Sequence, residues 1–330
     1  MYKSAAPKIP LMCLLLASAA AYGAGSVPDG VAKDVDQGYY RRALASLQAL
    51  VKEHPQDAEV QFRYGEALLG VNQTDDAMAA MKQAVALDPK NGIYHRGLGE
   101  VYGTEAQDAS IFSALGLAKS SLAEFQAAAQ LAPDDVDAHA DLAAYYTQAP
   151  GIAGGDGDKA HAEEAVIAKL DPVRGLQQQA ADARYDKDYD KAEALLKQAA
   201  AQDARADSYS QLGTLYMDRK RYAEALDAFT AAAAKSPADP APWYWIGRAS
   251  ELGQLRYDDG IAALKTYIGI QDHPDSSPSF AWAHLSLADL YILAGKGALA
   301  RTEFAAAQGT ADKGDKQLSH ELRRVGSRLE

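Results

Sequence analysis

The sequence predicts an all-α fold, a solenoid of about eight helix hairpins closed by a C-terminal helix, and three observations carry this. A small residue recurs at Ala43, Ala77, Ser121, Ala160, Ala192, Ala225, Gly260 and Ala300, at spacings of 34, 44, 39, 32, 33, 35 and 40 residues. Four of the seven fall within two residues of 34, and each longer gap has a visible local insertion, so this is one continuous array. Apolar residues three to four apart flank each small residue, the mark of one-sided helices. Prolines such as Pro55, Pro89, Pro133 and Pro237 then punctuate the repeats, because a residue without an amide hydrogen cannot continue a helix.

The clearest copy is Ala206 to Asp239. Leu212, Leu215 and Tyr216 share a face of the first helix, and Ala225, Phe229 and Ala232 share a face of the second. Gly213 and Ala225 are small enough to let two antiparallel backbones approach while Tyr216 and Phe229 fill the space beside them. A lone hairpin of this kind leaves an apolar face in water, and stacking on neighbours buries it. The pattern of Leu212, Gly213, Tyr216, Ala225, Phe229, Ala232 and Pro237 resembles the tetratricopeptide repeat, or TPR. The resemblance implies a right-handed α-solenoid.

In chain order, 1–23 reads as a secretory signal. Lys3 and Lys8 open it, Ile9 to Ala21 is apolar but shorter than a spanning helix, and small residues at Ala21 and Gly23 suit a peptidase cutting after Gly23. An uncleaved anchor is the alternative. Cys13 leaves with the signal, so the exported chain has no cysteine and relies on packing, which fits a bacterial periplasm or secretion. Removing Lys3 and Lys8 leaves 31 basic and 45 acidic residues, a net charge near −14. With no basic block to offset it, nucleic acid and membrane surfaces are poor partners, and no membrane insertion is expected after signal removal.

The repeats are expected at 24–57, 58–91, 92–135, 136–172, 173–205, 206–239, 240–280 and 281–312, followed by a capping helix at 313–330. No independent second domain is apparent. In the first unit the weak helix from Val27 to Gln37 reads as an N-terminal cap. The third unit has about ten extra residues around Asp108 to Lys119, where Ile111, Phe112 and Leu115 are helically spaced, so a longer second helix with its own buried stripe is expected. The fourth gains about five residues in the glycine-rich turn Ala149 to Asp158. Corresponding turns of a solenoid project from one edge, so the two insertions should lie side by side. The turn from Gln148 through Pro150, Gly151 and Ile152 to Gly155 also resembles that of a group of exported bacterial TPR proteins. The fifth unit is polar where Gln177, Gln178 and Gln179 replace apolar residues. In the tail, Leu318, Leu322, Val325 and Leu329 share one face, suited to covering the last apolar surface.

Chemistry is sparse. His95, His139 and His284 occupy one slot, three residues before the Leu-Gly or equivalent pair, where Trp243 and Tyr209 stand in other units, so they read as packing residues and not metal ligands. Asp156, Gly157 and Asp158 lack the alternating ligands and terminal glutamate of a calcium loop and read as a polar turn. There is no phosphate loop, serine nucleophile elbow or paired cysteine motif, so no catalytic, metal or cofactor site is expected. What remains is recognition of a protein or peptide. The TPR resemblance implies that first helices line the concave surface and that Phe62, Glu66, Arg96, Glu100, Arg184, Tyr244, Arg248 and Trp282 face it, with Ile152 at the edge built by the insertions. Some TPR domains clamp a terminal carboxylate with lysine and asparagine on these helices. Phe62, Glu66, Arg96 and Glu100 stand at the comparable points, so that clamp is not expected. The reading is a non-enzymatic interaction scaffold of the cell envelope that takes a peptide or partner helix. The alternative is a cell-wall glycan or small-molecule binder using aromatics around Trp243, Tyr244, Trp245 and Trp282. Oligomeric state is not readable.

Overall fold

The computed structural model describes residues 26–202, 205–312 and 314–329. The expected signal at 1–23 lies outside them. Among the described residues there are seventeen α-helices and no strand, and the chain is an all-α helical-repeat solenoid. No helix among them is long and apolar enough to cross a membrane. The chain divides into two compact units, the first ending at Ala160 and the second beginning at His161.

In the first unit, α1 (Asp29–Asp36) pairs with α2 (Tyr40–Glu53), α3 (Ala58–Gly70) with α4 (Thr74–Leu87), and α5 (Gly92–Asp108) with α6 (Ile111–Leu131). Then come α7 (Val136–Gln148), a 3-10 turn at Gly151–Ala153, and the start of α8 (Gly157–Leu170). In the second unit the hairpins are α9 (Pro172–Tyr185) with α10 (Tyr189–Gln202), α11 (Ala206–Asp218) with α12 (Tyr222–Lys235), α13 (Pro240–Gly253) with α14 (Tyr257–Gly269), and α15 (Phe280–Leu293) with α16 (Gly297–Thr310). The last helix is α17 (Lys316–Gly326), with Leu318 and Val325 buried.

The small-residue ruler has a packing cause. Seven of its eight members, from Ala43 to Ala300, are at most 3 % exposed, and Gly260 is buried with them. Each sits where the second helix meets the first. Facing it, the first-helix glycines admit a large side chain: a Cβ at Gly65 would lie 2.9 Å from Met81, and one at Gly213 would lie 2.6 Å from Phe229. In the third unit the same contact pairs Gly99 with Phe125, at 2.7 Å. Ten residues more separate that pair than the sixteen between Gly213 and Phe229. The extra length goes into helix: α5 has 17 residues and α6 has 21, against 13 or 14 in α3, α4, α11 and α12.

Turns between paired helices also share a device. Asn72, Lys187, Lys220, Gln254 and Gly295 have positive φ just past a first helix, and the next residue returns its amide to a carbonyl five back, as in Gln73 to Leu68 and Arg221 to Tyr216. This left-handed closure satisfies carbonyls that the helix end would otherwise leave open.

The expected longer second helix is present as α6, but burial of its expected stripe is not seen. Leu115 is only half-buried, and the side chains of Ile111 and Phe112 are outside the described set; full burial begins at Ser121, whose hydroxyl donates to the Gly99 carbonyl at 2.8 Å. The two insertions do lie together. The Tyr145 hydroxyl is 2.8 Å from the carbonyl oxygens of both Ala118 on α6 and Ala153 in the 3-10 turn. Gly154, at φ +101°, brings the backbone so near Leu122 that a Cβ would come within 2.6 Å of it. Asp156 then caps α8, its carboxylate accepting from the amides of Asp158 and Lys159.

Candidate functional site

Several first helices carry charge three or four residues apart. On α3 the Arg63 guanidinium donates to Glu66, three residues on, at 3.0 Å, and to Asp36 of α1 at 2.6 Å. On α5 Arg96 is four residues before Glu100, and Arg96 lies 3.4 Å from Asp137 and 4.0 Å from Asp141 of α7. Residues three or four apart share a helix face, and stacking repeats sets these faces edge to edge, so the charges form one ladder. Arg63 and Arg96 are the only lysine or arginine side chains on α3, α5 and α7.

The electrostatics of this set follow first from burial and then from neighbouring charge. Burial raises the Glu100 carboxyl, and the nearby Asp141 carboxylate raises it further, to about 8, against the pull of Arg96. Burial also raises Glu66, opposed by Arg63 and Arg96. Arg96 is held firmly charged: burial works against its charge, but Glu100, Asp141 and Asp137 outweigh it. Its Nε is buried without a hydrogen-bond partner.

The second unit carries a similar ladder. Arg248 on α13 donates to Glu251 at 2.6 Å and to Ser286 of α15 at 3.2 Å. On α15, Asp289 accepts from Arg324 of α17 at 2.8 Å and also pairs with Arg328. Arg324 lies 3.8 Å from Glu251 as well. Earlier in the unit, Arg184 of α9 meets Asp218 of α11 at 2.6 Å in the open.

Glu66, Arg96 and Glu100 therefore come together in the first unit, and Arg248 joins the second ladder. Phe62 and Tyr244 are each 5 % exposed and do not line a surface. Phe62 packs on Tyr94 with ring centroids 4.9 Å apart, and Tyr244 packs on Tyr267 at 5.4 Å, because helix stacking buries both rings between repeats. Trp282 is half-buried and its indole donates to Asp315, 2.9 Å away, which fastens the α17 entry. Ile152 is 74 % exposed at the tip of the 3-10 turn. The aromatic run Trp243, Tyr244 and Trp245 makes no platform: Trp243 is half-buried and donates to the Pro237 carbonyl at 3.1 Å, and Trp245 alone of the three is exposed.

That Trp243 bond explains the histidine slot. Gln61, His95 and His139 likewise reach the carbonyl of the proline six residues earlier, Pro55, Pro89 and Pro133, at 3.0 to 3.1 Å. In these four units the slot residue ties the first helix to the turn that precedes it, whereas His284 in the same slot meets Glu303 at 2.7 Å. Sequence reasoning missed Arg63, Asp137, Asp141, Glu251, Asp289, Arg324 and Arg328, although the recurrence of charge three or four apart on successive first helices was a usable signal.

Family comparison supplies a further finding. Models of the tetratricopeptide repeat match residues 34–100 and 206–239. Among curated proteins, no sequence matches significantly. The fold is similar to that of yeast Tom70, at 13 % identity and a TM-score of 0.62 over 92 % of this chain and 61 % of that one. It is also similar to that of the human IFIT1 dimer with PPP-AAAA, at 15 % identity and a TM-score of 0.53 over 88 % and 72 % of the two chains. A thermophilic TPR protein of Thermus thermophilus matches at 22 % identity and a TM-score of 0.42 over 68 % and 96 %. This chain spans less than two thirds of the length of yeast Tom70. With the repeat register, the glycine contacts and two matched segments in agreement, the chain is a tetratricopeptide-repeat protein.

Proposed function

We propose that this protein is a non-enzymatic interaction scaffold of the bacterial cell envelope, exported by a cleaved signal at 1–23, and that it binds a peptide or partner helix along its first-helix faces. The observation that carries the reading is the ladder on α3, α5 and α7, where charged side chains are set in register on a surface formed by successive repeats. A folding core does not need such a surface, since burying charge costs more than burying hydrocarbon of the same size. Repeat arrays offer extended surfaces that a partner can follow over several helices. The exposed Ile152 adds an apolar point at the insertion edge.

The test is photocrosslinking in cells, with a photoreactive residue at Ile152 in one strain and at Glu66 in another. A dominant protein adduct from Glu66, recovered from the periplasmic fraction on a chain that begins just after Gly23, is the expected result. An intact N-terminus in the cytoplasm would sink the export reading. Absence of any protein adduct at both positions, in cells where the chain is abundant and folded, would sink the scaffold.

A further inference from the structure

Two adjoining repeats break the packing rule at positions that meet. Four residues past the small-residue ruler, the other repeats carry a large apolar side chain, and Met81, Phe125, Leu196 and Phe229 are all buried there. After Ala160 the same step falls on Glu164 of α8, which is 5 % exposed. Five residues before the left-handed turn residue, first helices carry Ala67, Leu215, Ala249 and Leu290, each at most 1 % exposed. On α9 that position is Asp182. Each acid brings a buried oxygen without a hydrogen-bond partner, Oε1 of Glu164 and Oδ2 of Asp182. The two carboxyl groups are within hydrogen-bonding reach of each other. Two carboxylates have no donor between them, so their contact is attractive only while one holds a proton.

The surroundings keep that proton in place. Burial raises the Glu164 carboxyl, and Asp182 raises it further through their hydrogen bond and its charge, to about 8, against the pull of Lys191 on α10. Lys191 is exposed. On α8 itself Glu163 lies about 100° round the helix, and His161, one turn back, is exposed. An apolar pair, such as the next repeat has in Leu196 and Leu215, holds two helices together at any pH. Two acids in the same places make the contact conditional.

We propose that Glu164 and Asp182 form a proton-dependent latch between α8 and α9, closed while Glu164 is protonated and released when its proton passes to solvent. With the proton gone, two like charges face each other at positions that hold hydrocarbon in the other repeats, and α8 parts from α9. The closed contact holds a proton that the open one, with Glu164 back in the ordinary glutamate range, has lost. Closure therefore weakens as pH rises from that range to about 8, and acid strengthens it. The latch stands apart from the scaffold reading and is independent of what the array binds.

The experiment is hydrogen exchange of the full-length chain read by mass spectrometry at about pH 6, 7 and 8, inside that window, beside the variant Glu164→Gln. Rates are corrected for the intrinsic pH dependence of amide exchange. In the native chain the opening of α8 and α9 is expected to rise about tenfold per pH unit, because each opening releases one proton. Glu164→Gln keeps a donor for Asp182 and has no proton to lose, so it is expected to flatten that rise while α3, α4, α12 and α14 behave alike in both chains. Glu164→Leu, which installs the side chain that Leu196 provides in the next repeat, is expected to give the same flat response and stands in if the amide variant does not fold. An equal pH slope at α8 and α9 in native and variant chains would overturn the latch. So would a loss of protection spread evenly over all the repeats, because that reports global unfolding and not the parting of two helices.

Discussion

The charge ladders of the two units both join residues three or four apart on first helices and differ in where their cations come from. In the first unit Arg63 and Arg96 share α3 and α5 with Glu66 and Glu100; in the second Arg248 shares α13 with Glu251, while Arg324 on α17 and Arg328 just past it reach Asp289. The comparison teaches that the C-terminal helix is more than an apolar lid. Leu318 and Val325 cover the last hydrophobic surface, and on the same helix Arg324 reaches the carboxylates of α15 and α13. A single helix, α17, thus neutralises charge as well as burying hydrocarbon.

The sharpest way to break the comparison is to remove that cap's charge. Arg324→Ala with Arg328→Ala leaves Asp289, with a side chain 4 % exposed, without its arginine partners. Uncompensating a buried charge costs about 3 to 5 kcal/mol. The arginines are themselves 42 % and 35 % exposed, so the expected loss is near the lower figure, about 3 kcal/mol, after allowance for solvent screening. Hydrogen exchange should show α13, α15 and α17 losing protection while α3, α5 and α7 keep theirs. A loss below about 0.5 kcal/mol, the ordinary scale of exposed pairs, would mean that Arg324 and Arg328 only decorate the surface.

How much of this was readable beforehand divides along the same line. The repeat register was legible because it rests on local rules: Ala43 through Ala300 mark the helix contact, and the sixteen-residue step from Gly213 to Phe229 returns as Gly65 to Met81. The function of the histidine slot was half legible. Its recurrence was visible, but the bond from His95 to Pro89 needs three dimensions. Repeat position puts Phe62 and Tyr244 on the groove, but it gives the side of a helix and not whether the next repeat covers it. Trp243, Tyr244 and Trp245 were grouped by adjacency, although consecutive residues of a helix point about 100° apart and cannot share a face. The ladders themselves join Arg248 to Ser286 and Arg324 to Asp289, pairs 38 and 35 residues apart, and no local pattern announces such pairs.

A smaller effect sharpens the view of the first unit. Burial, with Asp141 beside it, raises the Glu100 carboxyl to about 8. A raised acid holds a proton in the folded state that the unfolded chain has already lost, so its contribution to stability falls as pH rises from the ordinary glutamate range to about 8. Glu100→Gln removes that dependence. Melts of native and variant chains should differ most at the alkaline end, with the variant more stable by on the order of 1 kcal/mol. A native-minus-variant difference that stays flat over this window would show that Glu100 is not destabilised by its burial and its acidic neighbours.

The smallest expected effect separates burial from mere pairing. Arg184 and Asp218 are 2.6 Å apart, as short as Arg248 and Glu251, so distance alone ranks the two pairs equally. Their surroundings do not. Arg184 and Asp218 are 36 % and 34 % exposed, whereas Glu251 is 5 % exposed. Water solvates each member of the outer pair nearly as well as its partner does, and ordering two side chains offsets most of the attraction. Arg184→Ala is therefore expected to change stability by less than about 0.5 kcal/mol in urea denaturation, and the change should vanish at high salt. A loss as large as that from removing Arg324 and Arg328 would mean that ion-pair geometry, and not the burial of the carboxylate, decides which rungs of the ladders hold the fold.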